Sequence, residues 1–151
     1  PMVSQIRAAG LSQPIVGQEG YDSQKFIEIA GKASEGVMIT TSLDRDSSSP
    51  ETKDFISGFA KKAGYPADMV AASGHTALLV VADALKRAGS NDASTLRDAI
   101  SKTSLSASTG KISFNALGEV QKDVQVQVVK GGNWRHHSVI SDAVLLAPPS
   151  K

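Results

Sequence analysis

The stretch Pro14-Ile15-Val16-Gly17-Gln18-Glu19-Gly20-Tyr21-Asp22-Ser23 decides the fold of this chain. It begins as a short apolar strand and runs into a carboxylate bracketed by glycines. A strand that ends in this way holds the acidic side chain at the carboxyl edge of a sheet, where α/β proteins bind their ligands. The glycines permit backbone angles and close approaches that a Cβ would forbid. Glu19 is therefore a candidate partner for a cationic group, such as the ammonium of a ligand.

Outward from this stretch, apolar residues recur at helical or strand spacing, and capping residues mark the ends of the helices. In chain order, the pattern predicts a helix ending at Gly10, a strand over 14–17, a helix capped by Asp22 and ending at Gly31, a strand over 36–41, a helix capped by Ser49 and ending at Gly64, a long helix over 67–88, and a helix capped by Asn91 or Asp92. The long helix is so continuously apolar that we expect burial on most of its sides. This order of elements is typical of an α/β layered fold.

The last third of the chain changes character and alternates as strands. Residues 110–114, 124–128 and 134–140 have the period of two that a half-buried strand requires. Turns are predicted at Leu117-Gly118 and at Gly131-Gly132-Asn133. The pattern predicts an antiparallel meander with one solvated face.

The composition is that of an ordinary soluble globular domain, with 151 residues, 40% of them hydrophobic and 21% charged, and a net charge of +1. No run of lysine or arginine stands out, so nucleic acid is not an expected partner. The absence of cysteine excludes disulfides, thiolate catalysis and cysteine metal sites. The longest apolar run falls well short of a membrane span.

The sequence contains no convergent set of catalytic groups, and in particular no Gly-x-Ser-x-Gly motif, so we do not expect an enzyme. His136 and His137 are adjacent in a predicted strand, so their side chains point to opposite faces and cannot chelate one metal together. Because no third ligand is evident, neither a metal nor another cofactor is expected.

Several short motifs follow one another at a characteristic order and spacing. They are Ala9-Gly10-Leu11, the opening stretch from Pro14 to Ser23, Glu35-Gly36-Val37 with Thr40-Thr41, Phe55 with Phe59, Ala82-Asp83-Ala84-Leu85-Lys86-Arg87-Ala88-Gly89-Ser90, Leu96-Arg97-Asp98-Ala99-Ile100, and Thr109-Gly110-Lys111-Ile112-Ser113-Phe114-Asn115 with Gly118 and the Val-Gln-Val strand. Together they resemble the second half of the type I periplasmic solute-binding proteins, specifically the branched-chain amino-acid-binding (Leu/Ile/Val-binding) family of ABC transporters. The resemblance covers the chain to about Ile140.

This resemblance implies a fold of two α/β lobes with Rossmann-like layers, joined by crossing strands, with a C-terminal antiparallel strand meander. It would assign residues 1–20 to the end of a second-lobe segment and a crossover, 21–105 to the segment that completes the first lobe, and 106–151 to the return crossover, antiparallel strands and tail. Since the chain begins within a predicted helix, the resemblance also implies a fragment that lacks an N-terminal half and has an incomplete site.

The resemblance further implies which residues contact a ligand. The family places an acidic residue at the position of Glu19 to hold the α-ammonium of the ligand. Gln18, Gly20 and Tyr21 flank that position and would line the same cleft, although Tyr21 is equally suited to packing on the lobe surface. His75 replaces a residue that is often aromatic in the family, and is either a ligand or hinge contact or a structural histidine. This departure puts a plain Leu/Ile/Val specificity in doubt.

The function implied is that of a non-enzymatic, periplasmic or extracytoplasmic receptor. It would close by a hinge around an amino acid or related small molecule and deliver it to the membrane subunits of an ABC importer. Two alternatives stay open, namely a ligand-sensing domain of a receptor or regulator, and a binder of aromatic acids. Because half of a two-lobed protein exposes apolar surface and strand edges, we also expect association with the missing N-terminal half or self-association.

Overall fold

The computed structural model describes residues 2–147 and has mixed α/β architecture, as predicted. The helices are α1 Met2–Ala8, α2 Gln24–Ala30, α3 Pro50–Ala63, α4 Met69–Ala88 and α5 Ala93–Ser101. The strands are β1 Val16–Gly17, β2 Met38–Thr41, β3 Ser104–Ala107, β4 Gly110–Phe114, β5 Val120–Gln121, β6 Val124–Lys130 and β7 Asn133–Ile140. Two short 3₁₀ helices, Glu19–Tyr21 and Gly31–Ser34, flank α2.

Four strands form the first sheet, in the order β1-β2-β6-β7. Strands β1 and β2 are parallel, whereas β6 is antiparallel to both β2 and β7. The core on this sheet contains Val37, Ile39, Val129 and Trp134, all of them buried, and α1 and α2 contribute Val3 and Ile27. The parallel pair therefore lies at one edge of the sheet, and both of its strands end on the same side.

The remaining strands form a separate antiparallel sheet in the order β3-β4-β5. The C-terminal strands are antiparallel as predicted, but they divide between two sheets and do not form one meander, because β4 pairs with β3 and β5 while β6 crosses to the first sheet. The valines of β6 gain burial between β2 and β7, which the two-residue β5 is too short to provide. Both predicted turns are present, with positive φ at Gly118, Gly131 and Gly132.

Helix α4 is buried on one side only, which corrects the expectation of burial on most sides. Its buried residues, Ala72, Thr76, Val80 and Ala84, recur every fourth position and face the second sheet and α3. Val70 and Leu78 are 70% and 72% exposed. Length and composition alone would let this helix cross a membrane, but the packed stripe is that of a core helix with an uncovered face.

The helix caps follow the sequence with one exception. Ser49 and Asp92 accept hydrogen bonds from the first turns of α3 and α5, and Gly64 ends α3 in the left-handed conformation. Asp22, however, does not cap α2. Ser23 Oγ accepts from Phe26 N at 3.1 Å instead, and this frees Asp22 for a buried ion pair with Arg45.

The strand pairing cuts across the predicted division of the chain. Strand β2 lies within the segment 21–105, yet it pairs with β1 from segment 1–20 and with β6 from segment 106–151. The division into lobes at those boundaries stays a prediction. Most of the predicted tail, residues 148–151, lies outside the described residues.

Candidate functional site

Glu19 lies where the sequence predicted it, directly beyond the carboxyl end of β1. Because β2 is parallel to β1, its carboxyl end brings Ser42 to the same edge. Ser42 Oγ donates a hydrogen bond to Glu19 Oε1 at 2.8 Å. The Glu19 side chain is otherwise exposed, and no partner is found for Oε2 among residues 2–147. One carboxylate oxygen is thus fixed by the fold, and the other is open to a ligand.

Lys122 brings a positive charge to this edge of the sheet. It lies in the connection between β5 and β6, where the chain passes from the second sheet to the first, and its Nζ donates to Ser42 Oγ. Partial burial lowers the pKa of the Lys122 ammonium, and the negative charge of Glu19 partly opposes that shift. Glu19, Ser42 and Lys122 are named here the Glu19 corner.

An ion pair between Asp22 and Arg45 lies next to the Glu19 corner. Both oxygens of the Asp22 carboxylate are used, one by the Thr41 hydroxyl and one by the Arg45 guanidinium. The side chain of Asp22 is 0% exposed and that of Arg45 is 18% exposed. Arg45 also donates to the carbonyl of Ala67, just before α4. The pair therefore joins the turn after β1 to the end of β2 and to the second half of the fold.

The two glycines of the opening stretch do not serve the backbone angles that the sequence predicted. Neither Gly17 nor Gly20 has a positive φ. Instead, Gly17 allows a close approach, because a Cβ there would lie 2.2 Å from Cδ2 of Tyr21. The Tyr21 ring packs against Phe26, with ring centroids 5.2 Å apart, and against the core of the first sheet. Tyr21 thus adopts the packing role that was one of its two expected roles.

Replacing Gly17 by alanine should therefore displace the Tyr21 ring from its packed position. We expect a loss of about 1–3 kcal/mol in the free energy of unfolding, the usual cost of overpacking. Gly20→Ala is the matched control, since a Cβ at Gly20 meets no atom within 4 Å, and it should change stability by less than about 0.5 kcal/mol. Urea unfolding of both variants measures this; equal effects would contradict the assigned role of Gly17.

Trp134 ties the last strand to the segment that carries Glu19. Its ring stacks on Phe26 at 5.8 Å, and its Nε1 donates to the carbonyl of Ser23 at 3.3 Å. With 3% exposure it is a core residue of the first sheet, so its role here is packing.

Gln18, Gly20 and His75 have no described contact with one another. Gln18 and Gly20 are exposed beside Glu19. His75 Nδ1 lies 3.0 Å from Ser108 Oγ, and its ring stacks on Phe55 at 4.8 Å. These contacts join α4 to the β3–β4 loop and α3, and none of them joins His75 to Glu19. Ligand contacts by Gln18, Gly20, Tyr21 and His75 stay predictions.

A cleft of about 430 Å³ opens beside the corner and between the two sheets. Ser42 lines it, together with Asp44, Asp123 and His136. Asp44 accepts from the buried Gln127 at 2.9 Å and lies 3.0 Å from His136 Nδ1, so its carboxylate is engaged by the protein. A smaller cavity of about 340 Å³ lies between α4 and α5, away from Glu19.

Sequence reasoning missed Ser42, Lys122 and Arg45. Ser42 follows a predicted strand, so the rule that located Glu19 would also have found it once the two strands were taken as parallel. Lys122 and Arg45 had no such signal. The Lys122 contact depends on the position at which the chain crosses from the second sheet to the first, and the Arg45 contact depends on the buried position of Asp22.

Comparisons with known proteins bear on the origin of this arrangement. A family model described as "Periplasmic binding protein" matches residues 1–133. The leucine-, isoleucine-, valine-, threonine-, and alanine-binding protein of Pseudomonas aeruginosa is 27% identical over 122 residues, which are 80% of this chain and 32% of that protein.

Solved structures share the fold. A leucine binding protein from Thermotoga maritima matches with a TM-score of 0.85 and 32% identity, over 95% of this chain and 41% of that one. A branched-chain amino acid transporter substrate binding protein from Streptococcus pneumoniae, solved with isoleucine, matches with a TM-score of 0.82 over 92% of this chain and 40% of that one. At 22% identity, the second likeness shows the fold alone. The chain spans less than half the length of these relatives.

Proposed function

Because this chain belongs to the periplasmic binding protein family, as its sequence motifs predicted, we propose that it forms part of an extracytoplasmic receptor for an amino acid. The relatives are solute-binding proteins and not enzymes. The ammonium of the ligand would bind Glu19. Closure of a second lobe over this corner would complete the site by a hinge motion.

The open carboxylate oxygen of Glu19 is the observation that supports this proposal. Ser42 holds Oε1 at 2.8 Å, so the carboxylate is oriented before a ligand arrives. Charge-assisted hydrogen bonds between an ammonium and a carboxylate are about twice as strong as neutral ones. A preoriented carboxylate also lowers the entropy lost on binding, because the side chain is already ordered.

The uncovered face of α4 supports a larger assembly. Val70, Leu78, Val81 and Leu85 leave an apolar surface on this helix. In the complete protein we propose that further polypeptide covers it, either an N-terminal half of the same protein or a second copy. Either occupant would remove the exposed leucines and valines from water, at a gain of about 25 cal/mol per Å² of apolar surface.

Delivery of the bound amino acid to the membrane subunits of an ABC importer is part of the same proposal, as the resemblance of the sequence motifs implies. In the ligand-sensing alternative, the ligand binds at the same Glu19 corner. Binding then triggers a signal instead of transport. A membrane span or signalling domain in the complete gene product would favour the sensing role.

A thermal-shift screen of the complete gene product tests the ligand class. At a ligand concentration a hundredfold above the dissociation constant, binding stabilises the folded state by about 2.7 kcal/mol, so the melting temperature should rise by several degrees with L-amino acids. N-acetyl-leucine is the control, since it keeps the side chain and carboxylate but lacks the ammonium. A rise with benzoate and with no amino acid would support the aromatic-acid alternative, and no rise with any solute would contradict the receptor role.

A further inference from the structure

The Glu19 corner contains a second charge that an ammonium site does not require. Lys122 Nζ donates to Ser42 Oγ, and Ser42 Oγ donates to Glu19 Oε1. A hydroxyl has a single hydrogen and a lysine ammonium can only donate. Both hydrogen bonds are therefore donated in the same direction, from Lys122 to Ser42 and from Ser42 to Glu19. Lys122 polarises the Ser42 hydroxyl toward Glu19 and strengthens the second bond.

Lys122 has unused hydrogen-bonding capacity at this position. Its ammonium carries three N–H donors, and Ser42 Oγ is the acceptor found for it within residues 2–147. Lys122 Nζ lies more than 4.0 Å from the carboxylate oxygens of Glu19, so the two groups do not form an ion pair. The two opposite charges therefore lie on either side of Ser42. The residue is half-buried, and its partial desolvation is unfavourable for an ammonium unless a further acceptor approaches.

The corner is therefore a dipole, with a free carboxylate oxygen on one side and free N–H donors on the other. An aliphatic amino acid whose α-carboxylate is bound by the other lobe would satisfy only Glu19. It would also bring a positive charge toward Lys122, which repels it. A ligand with an additional carboxylate on its side chain satisfies both groups.

We propose that Lys122 is a specificity-determining residue, which directs the Glu19 corner toward amino acids with a carboxylate on the side chain and away from those with aliphatic side chains. This rests on the proposed amino-acid receptor role and narrows its ligand class. Ser42 has a separate role as the positioning residue of Glu19. It contacts the carboxylate of Glu19, and not the side chain of the ligand.

Titration calorimetry of the complete gene product with L-glutamate and L-leucine separates these roles. Lys122→Met keeps most of the length of the side chain and removes the charge. We expect it to lower the ratio of glutamate affinity to leucine affinity by about tenfold to a hundredfold, the worth of one charge-assisted hydrogen bond. Ser42→Ala should weaken both ligands by a similar factor and leave that ratio within about threefold, because it disturbs only the orientation of Glu19.

The outcomes distinguish this inference from the function on which it rests. If the wild-type protein binds amino acids through Glu19 but Lys122→Met leaves the ratio unaltered, the inference is overturned and the receptor role stands. An equal loss for both ligands would assign Lys122 to the α-carboxylate, and it also overturns the selectivity. If the wild-type protein binds neither glutamate nor leucine, the inference is overturned, and the receptor role fails with it only where no solute raises the melting temperature in the thermal-shift screen.

Discussion

Asp22→Ala is expected to lower the free energy of unfolding by about 3–5 kcal/mol, the cost of removing one partner of a buried ion pair. Both carboxylate oxygens of Asp22 are hydrogen-bonded, and its side chain is fully inaccessible. The variant leaves Arg45 only 18% exposed with its charge uncompensated, and Nη1 of that guanidinium already lacks a partner within residues 2–147. Urea unfolding monitored by circular dichroism measures the loss.

A double-variant cycle shows whether the ion pair is the cause. Asp22→Ala combined with Arg45→Met removes the stranded charge, so it should recover much of the loss. Asp54→Ala is the matched control, because Asp54 is exposed on α3, and it should stay within about 0.5 kcal/mol of the wild type. A loss below about 1 kcal/mol for Asp22→Ala, or no recovery in the double variant, would contradict the assigned role.

Glu19→Gln is expected to weaken the binding of zwitterionic amino acids by about tenfold to a hundredfold in the complete gene product. Glutamine has nearly the same shape and retains one oxygen, so the loss comes from the charge. The ammonium of the ligand would then lie beside a neutral amide and beside the Lys122 ammonium, which repels it. Calorimetric titration with the amino acid that gives the largest thermal shift measures the change.

Glu28→Gln is the control for this measurement. Glu28 is an exposed residue of α2 that pairs with Lys25 at 3.0 Å, away from the corner, so its replacement should leave affinity within about twofold. Folding of both variants is checked by their melting temperatures without ligand. Equal affinity of Glu19→Gln and wild type would remove Glu19 from the site.

Most of what could be predicted from the sequence depended on interactions between residues close together in the chain. The helix that begins at Ser49-Pro50 and ends at Gly64 is confirmed, since capping and helix termination depend on neighbours in the chain. The fold class and the family are likewise confirmed. The capping of α2 was wrong by one residue, because a half-buried Arg45 that is distant in sequence pairs with Asp22.

Long-range pairing set the limit of what could be predicted. The alternation in 110–140 identified most of the strands, but alternation does not specify a partner, and β6 found its partner in β2. Strand β3, Ser104–Ala107, has a single large apolar residue and gave no pattern to detect. The position of Glu19 was predicted from local sequence, whereas its neighbour Lys122 depends on the crossing between sheets.

The contact between Trp134 and Ser23 has a consequence for how the corner arises during synthesis. The two residues are 111 positions apart, and β6, which covers the inner edge of β2, is also made late. On the ribosome, the turn with Glu19 emerges long before the strand that holds it in place. Premature termination before Trp134 would keep the Ser42 partner of Glu19 but remove the indole that stacks on Phe26 and donates to Ser23, beside the turn that carries Glu19.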